Sequence, residues 1–113
     1  MAVYPAAEPR SFEHHVLDFL AYHEFERGLS RNTLEAYRSD LLQFGAFLGR
    51  RGTDVLTAEH ADLAAFLSEL AAGGEERPPV APATLQRKAA CLRSFYRHLR
   101  RAGRSGAAGP RRG

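Results

Sequence analysis

Arg87, Lys88, Arg93, Arg97 and Arg101 crowd into one stretch, Thr84 to Gly103, near the end of a 113-residue chain. Their side chains are the donors that hold phosphate oxygens, arginine as a planar fork and lysine as a point charge. At about 100° per residue, Arg87, Arg93, Arg97 and Arg101 gather on one side of a helix. Leu85, Ala89, Leu92, Phe95, Tyr96 and Leu99 gather on the other, with Lys88 at the border. Such a basic stripe can follow a phosphate backbone. The net charge is only +3, but it is unevenly spread. Residues 1–76 carry six arginines and thirteen carboxylates, net −7, whereas residues 77–113 carry ten Lys or Arg and no acid, net +10. The C-terminal part is charged for a polyanionic partner, although an arginine-rich coding bias gives the same composition.

Other chemistries find little support. His14 and His15 are adjacent, point about 100° apart on a helix and cannot chelate as an i, i+4 pair does. His23 lies on an apolar side and reads as a hydrogen-bonded core histidine. No His, Cys or Asp spacing forms a metal site, and no cofactor is implied. Glu59, Asp62 and Glu69 read as solvated charge rather than a general acid/base pair, since nothing beside them predicts desolvation. Of four tyrosines, Tyr37 and Tyr96 sit on apolar stripes, Tyr22 follows a core leucine and Tyr4 belongs to a loose terminus. None is placed as a nucleophile, so no catalytic residue is expected. Cys91 is the lone cysteine, a small core-edge residue that excludes an intramolecular disulfide and fits a reducing cytoplasm. Without a signal-like start or an apolar run of membrane length, the chain is expected to be cytosolic.

The elements that must position the basic stripe are helical. Leu34, Tyr37, Leu41, Phe44 and Leu48 are spaced three, four, three, four, a stripe roughly 80° wide on a helix. Ser30 can cap that helix, with Asn32 and Glu35 as a competing start, and Gly52 ends it after Arg50 and Arg51. A first helix is expected from about Phe12 to Arg27, capped by Ser11, with Phe12, Val16, Phe19, Leu20 and His23 inward and Gly28 as its stop. A third, from Ala58 to Ala72, takes Thr57 as cap, turns Leu63, Phe66, Leu67 and Leu70 inward and stops at Gly73-Gly74. Residues 73–82, with three prolines and a Gly-Gly pair, are read as the most flexible connection. The fourth helix runs from about Ala83 to Ala102, with Pro82 in its first turn. Residues 1–10 and 104–113 read as disordered ends around a single domain, 11–103. The fold class is all-α: four helices packed as two crossed pairs, with no sheet, because every apolar period is near 3.6 and none is 2.

Two segments carry a family resemblance. Ser30-x-x-Thr33-x-x-x-Tyr37-x-x-Asp40-Leu41-x-x-Phe44 resembles the second helix of the N-terminal, core-binding (SAM-like) domain of tyrosine recombinases and phage integrases, most closely the Xer type. Thr84 to Gly103, with Arg93-Ser94-Phe95-Tyr96, is similar to that domain's last long helix. The resemblance spans about residues 12–103. It departs at Ala81, where the family commonly has Ser, at Ala83, where it often has Arg, and in a longer connection before the last helix.

The resemblance implies a role in site-specific DNA recombination and integration, including chromosome dimer resolution. In that family a separate C-terminal domain cleaves DNA through a tyrosine, and the two domains clamp the duplex. This chain ends where the catalytic domain would begin, so as it stands it is not expected to cut DNA. The second and fourth helices of the family approach the major groove with their N-terminal halves. Carried over, that points to Ser30, Arg31, Asn32, Thr33 and Arg38 on one helix and to Thr84, Gln86, Arg87, Lys88, Arg93 and Ser94 on the other. Arginine and lysine hold phosphate; Asn32 and Gln86 are types that read base edges. Ser30 and Thr33 serve equally well as helix caps. The implied partners are double-stranded DNA and other recombinase subunits in a synaptic complex, with no membrane. A helical protein–protein module docking another subunit is the alternative, and an unrelated four-helix domain made basic by codon bias is a third reading.

Overall fold

The computed structural model describes residues 11–101 and contains four α-helices and one short 3₁₀ turn. The expected disorder of residues 1–10 and 104–113 lies outside the described residues. Helix α1 spans Phe12–Phe25, α2 Arg31–Arg51, α3 His60–Ala72 and α4 Pro82–Arg101. No strand occurs among the described residues. Helix α2 packs against both α1 and α4, and α3 packs against α4.

Local chemistry sets most boundaries. The Ser11 and Ser30 hydroxyls accept the His14 and Thr33 backbone N–H groups, each at 3.2 Å, satisfying donors that the first turns of α1 and α2 leave free. Helix α1 ends at Phe25, two residues before the expected Arg27, and Gly28 takes the left-handed φ of 65° that redirects the chain. Gly52 ends α2 with φ 72°, and the Thr53 N–H returns to the Leu48 carbonyl at 2.9 Å. This is the glycine-terminated closure that a bulkier residue resists.

Helix α3 corrects the sequence reading. Thr57 does not cap it; Val55–Thr57 form a 3₁₀ turn capped by Asp54, whose carboxylate accepts the Leu56 N–H at 2.8 Å. Glu59 is the cap of α3, in a reciprocal box with Asp62, which accepts the Glu59 N–H at 2.8 Å. The two carboxylates read as mere solvated charge therefore start the helix. The 73–81 connection is tied down at several points. The Gly74 N–H reaches the Arg77 carbonyl at 2.8 Å, and the Val80 N–H reaches the Leu70 carbonyl at 2.9 Å. A Cβ on Gly73 would stand 2.7 Å from the Pro79 nitrogen, so the loop closes on itself only over glycine.

The core centres on Phe19, Leu41, Phe44, Leu92 and Phe95, each fully enclosed. Burial of such side chains contributes roughly 1.5–3 kcal/mol apiece. Rings of Phe19 and Phe95 meet edge to face at 5.5 Å, and Phe44 meets Phe66 at 5.2 Å. Phe47 and Ala58 join the core, although neither was on an expected apolar face. Gly45 lets α1 approach α2: a Cβ there would lie 2.5 Å from the Phe12 ring.

Candidate nucleic-acid interface

Helices α2 and α4 differ from α1 and α3 at the end that attracts anions. Glu13 and Asp62 stand in the first turns of α1 and α3, whereas the first turns of α2 and α4 hold no acid. The partial positive charge at those two N-termini is left uncompensated by carboxylate.

The residues singled out on α2 divide into caps and free cations. Ser30 accepts the Thr33 N–H, and its hydroxyl donates to the Thr33 Oγ1 at 3.1 Å, so both are engaged in starting the helix. Asn32 is exposed and does not cap. Arg31 and Arg38 are exposed and form no ion pair among the described residues. On α4, Gln86 and Arg93 are exposed, Thr84 is half-buried, and the half-buried Ser94 hydroxyl lies 3.5 Å from His23 Nε2. Gln86, Arg93 and Arg97 fall within about 40° of one another around the helix and define its outer stripe. The distal arginines are engaged elsewhere: Arg50 pairs with Glu69 at 3.0 Å, Arg51 lies 3.6 Å from Asp62, and Arg101 covers the Tyr22 ring at 5.4 Å.

Lys88 is placed differently from its expected position at the border of the stripe. It is only 7% exposed, and its ammonium donates to Asp40 Oδ1 and Gln43 Oε1, both at 2.9 Å. A buried ammonium so engaged cannot reach a phosphate, and its role here is internal. Arg87 shares the same carboxylate, donating to Asp40 Oδ2, but its side chain is 42% exposed. Asp40 is 1% exposed, the most deeply buried charge in the described chain. Two cations thus surround one anion between α2 and α4, leaving a net positive cluster with one guanidinium at the surface. Sequence reasoning quotes Asp40 within its motif but gives it no role, and it misses Gln43. The available signal was Asp40 itself, an acid set three residues after Tyr37 and four before Phe44, inside the apolar stripe.

The remaining titratable groups are arranged for packing. Burial pushes the Cys91 thiol up to about 12, which makes it a poor nucleophile. The Tyr96 hydroxyl donates to the Val55 carbonyl at 2.7 Å, and burial drives its pKa upward. The Tyr37 ring lies over Phe19, with centroids 6.1 Å apart. No group of three His, Cys, Asp or Glu among the described residues could hold a metal ion. None of the described helices is long and apolar enough to cross a membrane.

His23 is a core histidine, 4% exposed and 4.4 Å from the Phe19 ring. Burial, followed by the charges of Arg27, His98 and Arg101, lowers its pKa below the ordinary histidine value. The unfolded chain therefore takes up a proton that the folded chain refuses, and stability falls as pH drops below about 6.5. In His23→Phe that decline between pH 7 and pH 5 is expected to flatten in denaturant melts. An unchanged slope would show that His23 is not held neutral by the fold.

Comparisons with known proteins agree with this architecture. The family model described as "Phage integrase, N-terminal SAM-like domain" matches residues 16–103. The tyrosine recombinase XerD of Agrobacterium fabrum is 41% identical over 81 residues, covering 72% of this chain and 23% of the relative. The tyrosine recombinase XerC of Pelobacter propionicus is 42% identical over 85 residues, covering 75% and 27%. That of Herpetosiphon aurantiacus is 43% identical over 82 residues, covering 72% and 25%. The chain spans about a quarter of the length of these relatives. No solved structure matches at a significant level. Four helices and no strand among the described residues, the paired motifs on α2 and α4 and a match over nearly all of those residues lead to one assignment: the chain belongs to the phage-integrase N-terminal SAM-like domain family.

Proposed function

We propose that this chain holds double-stranded DNA in the cytoplasm as the N-terminal part of a Xer-like tyrosine recombinase, in site-specific recombination. Strand cleavage is left to a separate catalytic domain. The observation that carries the reading is the exposed cationic surface on the two helices whose first turns hold no acid: Arg31 and Arg38 on α2, Arg87 and Arg93 on α4. These arginines hold phosphate, while Asn32 and Gln86 are exposed amides able to read base edges. Alone, the chain is expected to bind a duplex with Kd in the range ~10⁻⁴–10⁻⁶ M, falling steeply with salt. It is expected to leave no covalent adduct on a nicked suicide duplex. Fluorescence titration and denaturing gels check both points; no binding at about 50 mM salt, or a tyrosine-linked adduct, would overturn the reading.

A second reading is favoured by α1. Leu17 and Phe25 remain 58% and 78% exposed, and Ala21, midway between them, is exposed on the same face. That apolar strip among acids suits docking of another recombinase subunit. Sedimentation of the chain with and without Phe25→Ser, in the absence of DNA, separates this role from duplex binding.

A further inference from the structure

We propose that Asp40 is a positioning residue for DNA binding: it holds the Arg87 guanidinium in place for a phosphate, while buried Lys88 cancels its negative charge. The inference rests on the DNA-binding reading above and adds a device to it. Arg87 uses its Nη1 on Asp40 Oδ2, and its side chain remains 42% exposed. A guanidinium has five donors in a rigid plane, so it can bridge a buried carboxylate and an external phosphate at once. Tethering removes rotamer freedom before the ligand arrives and lowers the entropy lost on binding. A carboxylate alone beside the site would repel phosphate. Lys88, 7% exposed and 2.9 Å from Asp40 Oδ1, offsets that charge without taking a place on the surface. Gln43 fixes the ammonium from the other side. The pair Asp40–Lys88 is thus a neutral clamp, and Arg87 keeps its full charge for the partner.

The test is Asp40→Leu combined with Lys88→Met in the full chain. This double variant removes one negative and one positive buried charge, so net charge and every exposed cation are unchanged. If only total charge governs binding, a duplex titrated at fixed salt is bound as tightly as by the original chain. If Asp40 positions Arg87, affinity falls about three- to tenfold, the cost of ordering one long side chain. The same two changes made on an Arg87→Ala background then have no further effect. An equal loss on that background would show that Asp40 acts through the fold rather than through Arg87, and would overturn the proposal. So would an unchanged affinity with Arg87 present. Failure of the original chain to bind DNA would bring down the DNA-binding reading itself and this proposal with it. If circular dichroism shows the double variant unfolded, ¹⁵N NMR of the original chain decides instead. An Arg87 Nε–H that is rigid before DNA is added and shifts on titration supports the positioning role; a freely rotating one contradicts it.

Discussion

Asp40→Ala is expected to lower the free energy of unfolding by about 3–5 kcal/mol. The change leaves Lys88, 7% exposed, without the carboxylate that compensates its charge, and an uncompensated ammonium inside a protein is costly. A domain of this size has only about 5–15 kcal/mol of stability, so the melting temperature is expected to drop by on the order of 15 °C or more. Replacing both partners with apolar residues removes the unpaired charge as well as the pair. Asp40→Leu with Lys88→Met is therefore expected to recover most of the loss, and Arg87, at the surface, is solvated. Urea melts of the single and double variants measure the difference. A single variant within 1 kcal/mol of the original chain would mean that water or a rearranged Lys88 relieves the charge, and that the α2–α4 clamp contributes little.

How far the sequence alone reveals this molecule depends on the range of the interaction. The three-four spacing of Leu34 to Leu48 locates α2, and Ser30 and Gly52 mark its ends, because caps and periodicity are written within a few residues. The start of α3 is equally local, yet residue type alone points away from its true cap. Glu59 and Asp62 form a capping box with acids in place of the usual Ser or Thr, and Thr57 looked the better cap by residue type. Phe47 and Ala58 enter the core through tertiary packing that the helical period does not specify. The Asp40–Lys88 pair spans 48 residues of sequence. A single chain shows only an acid inside one apolar stripe and a lysine beside another. The same long-range contact changes what a mutant can tell. Lys88 has the composition of a DNA contact, but its replacement tests the interior, so Arg87 and Arg93 are the probes of the surface.

The most direct measurement of the central claim, that the Arg38, Arg87 and Arg93 surface of α2 and α4 faces DNA, compares two charge-matched triple variants. One replaces Arg38, Arg87 and Arg93 with Ala; the other replaces Arg97, Arg100 and Arg101 at the far end of α4. Both remove the same charge, and alanine is compatible with helix throughout. Duplex titrations from about 50 to 200 mM salt are expected to show the first triple binding roughly tenfold or more weakly. Its slope of log K against log salt should be shallower by about 2–3, one phosphate contact per arginine. The second triple is expected to keep most of the affinity and most of the slope. Equal losses in the two triples would show that only total charge matters, and would contradict a DNA face built on these helix ends.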